Sequence, residues 1–373
     1  TAAADGARGE GARRCEDGTM DARYSRQEAL PGFGAEGQRR LAAARVLVIG
    51  AGGLGSSVIP ALAGAGVGTL AIVDDDRVEL SNLHRQTVHA MADVGHSKAE
   101  SAAQKVAALN PEVRVRAIDE RLSSANALEL FAGFDLVVDG SDNFPTRYLA
   151  DDAARLSGIP VVWGAVSQYG GQAGLSWAAK GPTYRDLFPV PPAPGTVPSC
   201  EVGGVLPTTV AVIGAIMATE AIKVLTGIGS PAIGRATTYD ALSGGFRTLD
   251  YAGDPSAEAV TGLIDYAAFC GLGDSITPAQ LAARTDDFTL LDVREPWEVD
   301  VVALPGALSV PLGELELRLA ELDPAKPVVA FCHHGIRSAS ARLLLADHGF
   351  TASHLAGGID AWARELDPAM ARY

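Results

Sequence analysis

Cysteine is scarce in this chain, with four residues, Cys15, Cys200, Cys270 and Cys332, among 373. Their spacing makes no disulfide framework, which excludes a bridge-stapled fold and fits a reducing cytoplasm, the expected location. Basic residues are also short. Thirty Lys and Arg face forty-five Asp and Glu, and the net charge of −15 argues against nucleic acid or an anionic membrane as partner. No long apolar run is uninterrupted: between Val205 and Leu225, Thr208, Thr209, Thr219, Glu220 and Lys223 intervene, so a buried helix of a sheet domain is expected there rather than a membrane span. No signal peptide is evident. What the chain does have is 47% apolar residues, enough for two to three domains with real cores. Residues 1–19 are Gly, Ala and charge without periodicity and read as a disordered tail, with Met20 opening the ordered sequence.

The most informative stretch is Val46-Leu-Val-Ile-Gly50-Ala-Gly-Gly-Leu-Gly55. An apolar strand runs into a glycine-rich turn and a helix start, where phosphate can sit against unpaired backbone N–H groups. Gly50, Gly52 and Gly55 keep the G-x-G-x-x-G spacing, and Asp74 stands about twenty positions on, where an acid binds ribose. Ser81-Asn82-Leu83-His84-Arg85-Gln86 follow, and Arg23 and Arg26 precede the first strand. Hydride transfer needs an apolar slot, whereas cleavage of a triphosphate needs cations facing oxygens that gain charge. The cations favour ATP.

On these motifs the chain, from about Tyr24 to Tyr373, resembles the MoeB/ThiF adenylyltransferases, relatives of the ubiquitin-activating enzymes, and most closely the MoeZ type that carries a rhodanese domain. The resemblance implies a Rossmann-like, ubiquitin-activating-enzyme-type α/β domain over 20–252, a linker over 253–274, and a smaller α/β rhodanese domain over 275–373. It implies ATP-dependent adenylation of the C-terminal glycine of a ubiquitin-like sulfur carrier ending in Gly-Gly, followed by sulfur transfer to make a thiocarboxylate. Thiosulfate or a cysteine desulfurase is the implied sulfur donor. Gly53 is expected against the nucleotide, Asp74 on the ribose, and Asn82, Arg85 and Lys98 on phosphates. Asp142, in Gly140-Ser-Asp-Asn143, is expected to hold Mg2+. Arg26 is expected to reach the nucleotide of a neighbouring subunit, which implies a homodimer. Ser81, Leu83, His84, Gln86 and Asn143 complete the expected nucleotide-binding set.

Some of these positions have independent physical support. Ser97 with Glu100 reads as a capping box opening a helix over 98–109, which places the Lys98 ammonium near a helix N-terminus. A dipole disfavours a cation there unless an anion is present, although an exposed helix lysine is the commoner reading. Asp142 follows the apolar run Phe134-Asp-Leu-Val-Val-Asp139-Gly, beyond a strand C-terminus where open sheets bind ligands; the alternative is a loop aspartate capping the next helix. Between Pro189 and Pro198 five prolines forbid helix and central strand, and the exposed loop they form ends at Cys200. The resemblance implies a covalent partner for the activated carrier at Cys200; a half-buried structural cysteine is the alternative. Relatives with a structural zinc carry two Cys-x-x-Cys pairs, whereas here those positions hold Thr183 and Asp186, then Ala267 and Cys270. One thiolate of four cannot build a tetrahedral sulfur site, so no zinc is expected.

A second α/β unit follows the linker, with apolar runs Phe288–Val293 and Val328–Cys332. Its chemistry is concentrated in Cys332-His333-His334-Gly335-Ile336-Arg337-Ser338. A cysteine leaving a buried strand into a loop that opens a helix sits under inward-pointing N–H groups, an arrangement that lowers a thiol pKa and holds an anion. Cys332 and Arg337 enclose four residues, as in sulfur-transferring rhodaneses; related phosphatases enclose five. Cys332 is the expected persulfide carrier and Arg337 its catalytic companion. His333 and His334, protonated, would favour a thiolate. Asp292-Val-Arg294-Glu295 matches the rhodanese signature after the first strand and reads as structural support for the loop, and Gly357-Gly-Ile-Asp-Ala-Trp362 resembles the closing helix of the same fold. Two other classes share part of the pattern: an NAD-dependent oxidoreductase, which gives the Cys332 loop no use, and a catalytically silent carrier-docking scaffold.

Overall fold

A computed structural model of the chain describes residues 22–192, 196–197, 203–257 and 259–371. The tail over 1–19 and Cys200 lie outside them, and the proline loop only partly inside. The chain divides into two compact units, with the later boundary between Leu263 and Ile264.

The first unit is built on an eight-stranded sheet in the order β3-β2-β1-β4-β5-β6-β7-β8. The strands β1 (Arg45–Ile49), β2 (Thr69–Val73), β3 (Arg114–Ile118), β4 (Leu136–Asp139) and β5 (Val161–Ser167) run parallel. β6 (Gly170–Ser176), β7 (Arg235–Asp240) and β8 (Gly245–Asp250) continue antiparallel. β1, β2 and β4 read as unbroken apolar runs because helices cover both of their faces. The strand order reverses between β1 and β4, and the crevice beyond the strand ends at that point is where such sheets bind ligands. The helix Pro207–Thr226 falls where the Val205–Leu225 pattern placed it. It alone among the described helices is long and apolar enough to cross a membrane, yet Val210, Ile213, Met217 and Ala221 are buried in the core.

The second unit carries a five-stranded parallel sheet, β11-β10-β12-β13-β9, from β9 (Ser275–Ile276), β10 (Thr289–Asp292), β11 (Leu308–Ser309), β12 (Val328–Phe331) and β13 (Ala352–Leu355). The later half of the 253–274 stretch is ordered within this unit. Asp265 caps the helix Tyr266–Phe269, Cys270 is buried, Arg342 bonds Asp274 and Gly271, and His354 Nε2 meets Leu272 O at 3.1 Å.

Candidate active sites

The glycine turn links β1 to the helix Gly53–Ala65. Gly50 takes a φ of +88°, a left-handed conformation that favours glycine. A Cβ on Gly55 would lie 2.2 Å from Gly50 O, so only glycine lets this helix start so close to the strand end. Gly52 differs: a Cβ there meets only Gln86 Nε2, at 3.6 Å. The open space faces the helix N-terminus, as a phosphate site requires.

Ala51 fixes this turn from both sides. Its N–H donates to Asp74 Oδ2 (2.7 Å), and its carbonyl lies 2.9 Å from Nε2 of the buried His89, whose Nδ1 meets Ser101 Oγ at 2.8 Å. Asp74 Oδ1 accepts from Asp76 N (2.9 Å). Burial pushes Asp74 up to about 6, against the opposing pull of Lys98. His89 is absent from the sequence-based set because nothing local marks a histidine that braces a backbone carbonyl.

Lys98 opens the helix Lys98–Leu109, and Ser97 Oγ accepts from Glu100 N (3.4 Å). The expectation of an exposed lysine gives way here. The residue is 6% exposed, and its Nζ donates to Asp76 Oδ2 at 2.8 Å. Burial alone would lower its pKa; the carboxylates of Asp76, Asp74 and Asp142 outweigh that and hold it above the ordinary lysine value. A buried ammonium at a helix N-terminus needs such anions around it. Asp76 was missed from sequence, since its partner lies twenty-two positions away.

Asp142 is exposed and makes no ion pair or hydrogen bond with any described residue. The cap of the next helix is Asn143, whose Oδ1 accepts from Thr146 N (2.9 Å). That removes the capping alternative for Asp142 and gives Asn143 a structural task. The Leu80–Asn82 turn and its sequel divide the rest of the set. Asn82 is buried, Oδ1 accepting from Glu79 N (3.3 Å), and the exposed Ser81 donates from Oγ to Glu79 Oε2 (3.3 Å). Leu83 is half-buried. Arg85 folds back, Nη1 reaching Ser81 O (3.2 Å) and His84 Nε2 (2.8 Å), while its carbonyl backs Gly53. Gln86 is 5% exposed, and its Oε1 is buried without a partner. A buried amide oxygen left unpaired on a side chain whose Nε2 lies beside Gly52 fits a site completed by a ligand. Arg26 is exposed and belongs to none of these contacts. Arg23, grouped with it from sequence, instead donates to Leu109 O (3.0 Å) at a helix end.

The positions considered for zinc do not fit it. Thr183 N and Oγ1 donate to Asp186 Oδ2 (2.7 and 3.2 Å), and Asp186 Oδ1 accepts from Asp254 N (3.1 Å). These hydrogen bonds tie the hook to the end of the unit. Mg2+ meets a better donor set, because the free Asp142 carboxylate and the oxygens of Asp74, Asp75 and Asp76, which lie within 4.8 Å of one another, suit a hard cation.

In the second unit Cys332 directly follows β12 and is 2% exposed. Its Sγ accepts from Gly335 N (3.1 Å) and lies 3.6 Å from Ser338 Oγ. The loop rests on the helix Gly358–Glu365: Ile359 N and Asp360 N donate to Cys332 O and His333 O (2.9 and 3.1 Å). A Cβ on Gly358 would stand 2.2 Å from His333 O. The His333 and His334 rings stack at 3.9 Å, and His334 Nδ1 is 3.7 Å from Asp360. Arg337, the expected catalytic companion of Cys332, is held by a carboxylate. Both of its Nη atoms pair with Glu298 at 2.6 Å. Glu298 in turn is placed by the buried Arg294, which pairs with Asp292 and donates to the carbonyls of Glu298 and Val302. The donors at Cys332 are therefore a backbone N–H and a hydroxyl, and the Arg337–Glu298 pair braces the loop.

The ThiF family model matches residues 24–259, and the rhodanese-like domain model matches 277–365. The chain belongs to the ThiF family. A probable adenylyltransferase/sulfurtransferase MoeZ of Mycobacterium tuberculosis is 47% identical over 94% of this chain and 95% of its own. A sulfur carrier protein adenylyltransferase of Thermus thermophilus is 51% identical over 67% of this chain and 96% of its own. The mouse adenylyltransferase and sulfurtransferase MOCS3 is 38% identical over 94% and 87%. Among solved structures, Escherichia coli MccB with ATP shares the fold at a TM-score of 0.58 and 20% identity, covering 65% of this chain and 75% of that one. The ThiF-family chain described here is, like these relatives, an enzyme of adenylyl transfer, and its second domain is that of a sulfurtransferase.

Proposed function

We propose that this enzyme uses ATP to adenylate the C-terminal glycine of a ubiquitin-like sulfur carrier ending in Gly-Gly, then converts the adenylate to a thiocarboxylate with sulfur from Cys332. The observation that carries the reading is the pairing, in one chain, of a phosphate cradle at Gly52 with a sulfur held under the Gly335 N–H. The carrier carboxylate attacks the α-phosphorus of ATP and pyrophosphate leaves. Gly53, at the helix N-terminus, and Lys98 face the phosphates, Asn82, Arg85 and Gln86 line the same side, and Asp74 meets the ribose. Arg26 of a neighbouring subunit completes the cation set in a homodimer. Lys98 is ready for this task because its ammonium is already desolvated and held by Asp76. Asp142 would hold Mg2+, which supplies charge neutralisation to the polyphosphate.

Transfer then uses the terminal sulfur of a Cys332 persulfide, loaded from thiosulfate or a cysteine desulfurase. That sulfur attacks the acyl carbon and AMP leaves. A thiol, for which Cys200 is the candidate in this chain, then attacks the Cys332 sulfur of the acyl disulfide; the carrier leaves as the thiocarboxylate and a disulfide remains on the enzyme. Joining both domains in one polypeptide raises the effective concentration of sulfur near the adenylate. Intact-mass analysis of carriers ending in Gly-Gly, incubated with the enzyme, Mg-ATP and thiosulfate, tests the reading. One oxygen replaced by one sulfur is expected; carriers left unmodified, with no pyrophosphate released, would refute it.

A further inference from the structure

The turn that carries Arg26 adds nothing to the core, for the helix Ser25–Glu28 buries none of its residues. Its flanks are nevertheless locked in place. Tyr24 is 7% exposed; its hydroxyl accepts from Asn110 Nδ2 (2.8 Å) and donates to Glu112 Oε2 (3.0 Å). Asn110 is fully buried and also donates to Ala63 O (2.8 Å). Gln27 Nε2 donates to Gln38 Oε1 (2.8 Å) and Ala65 O (3.0 Å), and Gln38 Nε2 reaches the same carbonyl (3.1 Å). Gly66 shapes the socket: a Cβ there would stand 2.6 Å from both Tyr24 Cε1 and Gln38 Nε2. A satisfied polar network of this kind fixes one geometry. What it fixes is the backbone on either side of an exposed arginine that has no ion pair or hydrogen bond with any described residue of its own chain.

Asn110 follows directly on the helix Lys98–Leu109. Twelve residues at 1.5 Å each separate the two ends of that helix by about 18 Å. One end presents Lys98 to the nucleotide site of its own chain, and the other anchors the Arg26 turn. We infer that Tyr24, Gln27 and Asn110 are positioning residues that aim Arg26 away from its own chain, at the triphosphate held by a second copy. The inference rests on the role proposed above for Arg26.

Three variants, Arg26→Ala, Tyr24→Phe and the double variant, test it by ATP–pyrophosphate exchange with a purified ubiquitin-like carrier ending in Gly-Gly. Tyr24→Phe keeps the ring and removes the hydroxyl. It is expected to lower kcat at least fivefold with KM for ATP changed less than twofold, and to add less than a twofold loss once Arg26 is absent. A loss of equal size in both backgrounds, or no loss in either, overturns the positioning role. Gln27→Ala is read in the same way if Tyr24→Phe does not fold. Mixed assemblies of Arg26→Ala subunits with Asp142→Asn subunits test the underlying reading separately. Recovered exchange, with each variant inactive alone, shows Arg26 acting across subunits. No recovery removes that reading and the inference with it, whereas recovery with equal Tyr24→Phe losses removes the inference alone.

Discussion

Two glycines three positions apart should fail in opposite ways when each becomes alanine. At Gly55 the added Cβ would lie 2.2 Å from Gly50 O, and a relaxed carbon–oxygen contact needs about 3.3 Å. The helix start must then move about 1 Å from the strand end, or the turn must deform. Such overpacking costs about 1–3 kcal/mol, which lowers the melting temperature of a unit this size by roughly 2–12 °C. A shift of about 1 Å also moves the N–H groups proposed to cradle phosphate, with an expected rate loss of about 100-fold. At Gly52 the added methyl meets only Gln86 Nε2 at 3.6 Å, so the fold should be untouched. It occupies the space where backbone and phosphate must approach, and ATP should bind at least tenfold more weakly, about 1.4 kcal/mol. Thermal unfolding by calorimetry and nucleotide titration separate the two effects. If Gly55→Ala melts with the parent, or Gly52→Ala binds ATP as tightly as the parent, the reading of this turn is wrong.

Acidification should set stability and binding at Asp74 against each other. Its folded-state pKa of about 6 lies above the free value of 3.8, so protonation of this group favours the folded chain as pH falls between those values. The same protonation weakens its hold on Ala51 N, and ATP affinity should drop on an acid limb near 6; an affinity flat across that range in the parent and in Asp74→Asn excludes the role. Glu298→Gln breaks the largely buried pair with Arg337 and should destabilise the second unit by about 3 kcal/mol and slow sulfur loading from thiosulfate, with pyrophosphate exchange kept; loading at the parental rate would show that Arg337 needs no partner. A zinc-selective chelator should leave the melting temperature of the parent unchanged, because Thr183 and Asp186 offer no thiolate and hydrogen bonds of Asp186 join Thr183 to Asp254; a fall would reveal a metal.

Much of the site was legible because its signals are local. The turn at Gly50 and Gly55, the cap at Ser97 and the thiol leaving β12 depend on residues a few positions apart, where backbone geometry is set by the neighbours themselves. The groups that went unseen are partners brought together by the sheet. Asp76 meets Lys98 across twenty-two positions, His89 meets Ala51 across thirty-eight, and Glu298 meets Arg337 across thirty-nine. Lys98 and Arg337 were placed correctly along the chain, but their burial and pairing follow from which strand ends lie side by side.

The amino-acid sequence by itself determined the two α/β units, the glycine turn after β1, the cysteine loop and the lack of the residues for a four-thiolate site, since each follows from periodicity, spacing or residue type. Only the tertiary structure decided which charges are spent inside the protein and which stay available. Lys98 and Arg337 are paired with carboxylates, whereas Asp142 and Arg26 are exposed and make no hydrogen bond or ion pair with any described residue of their own chain. The reason is that a charge loses its water only when the fold closes over it, and what then pays for that loss comes from distant parts of the chain.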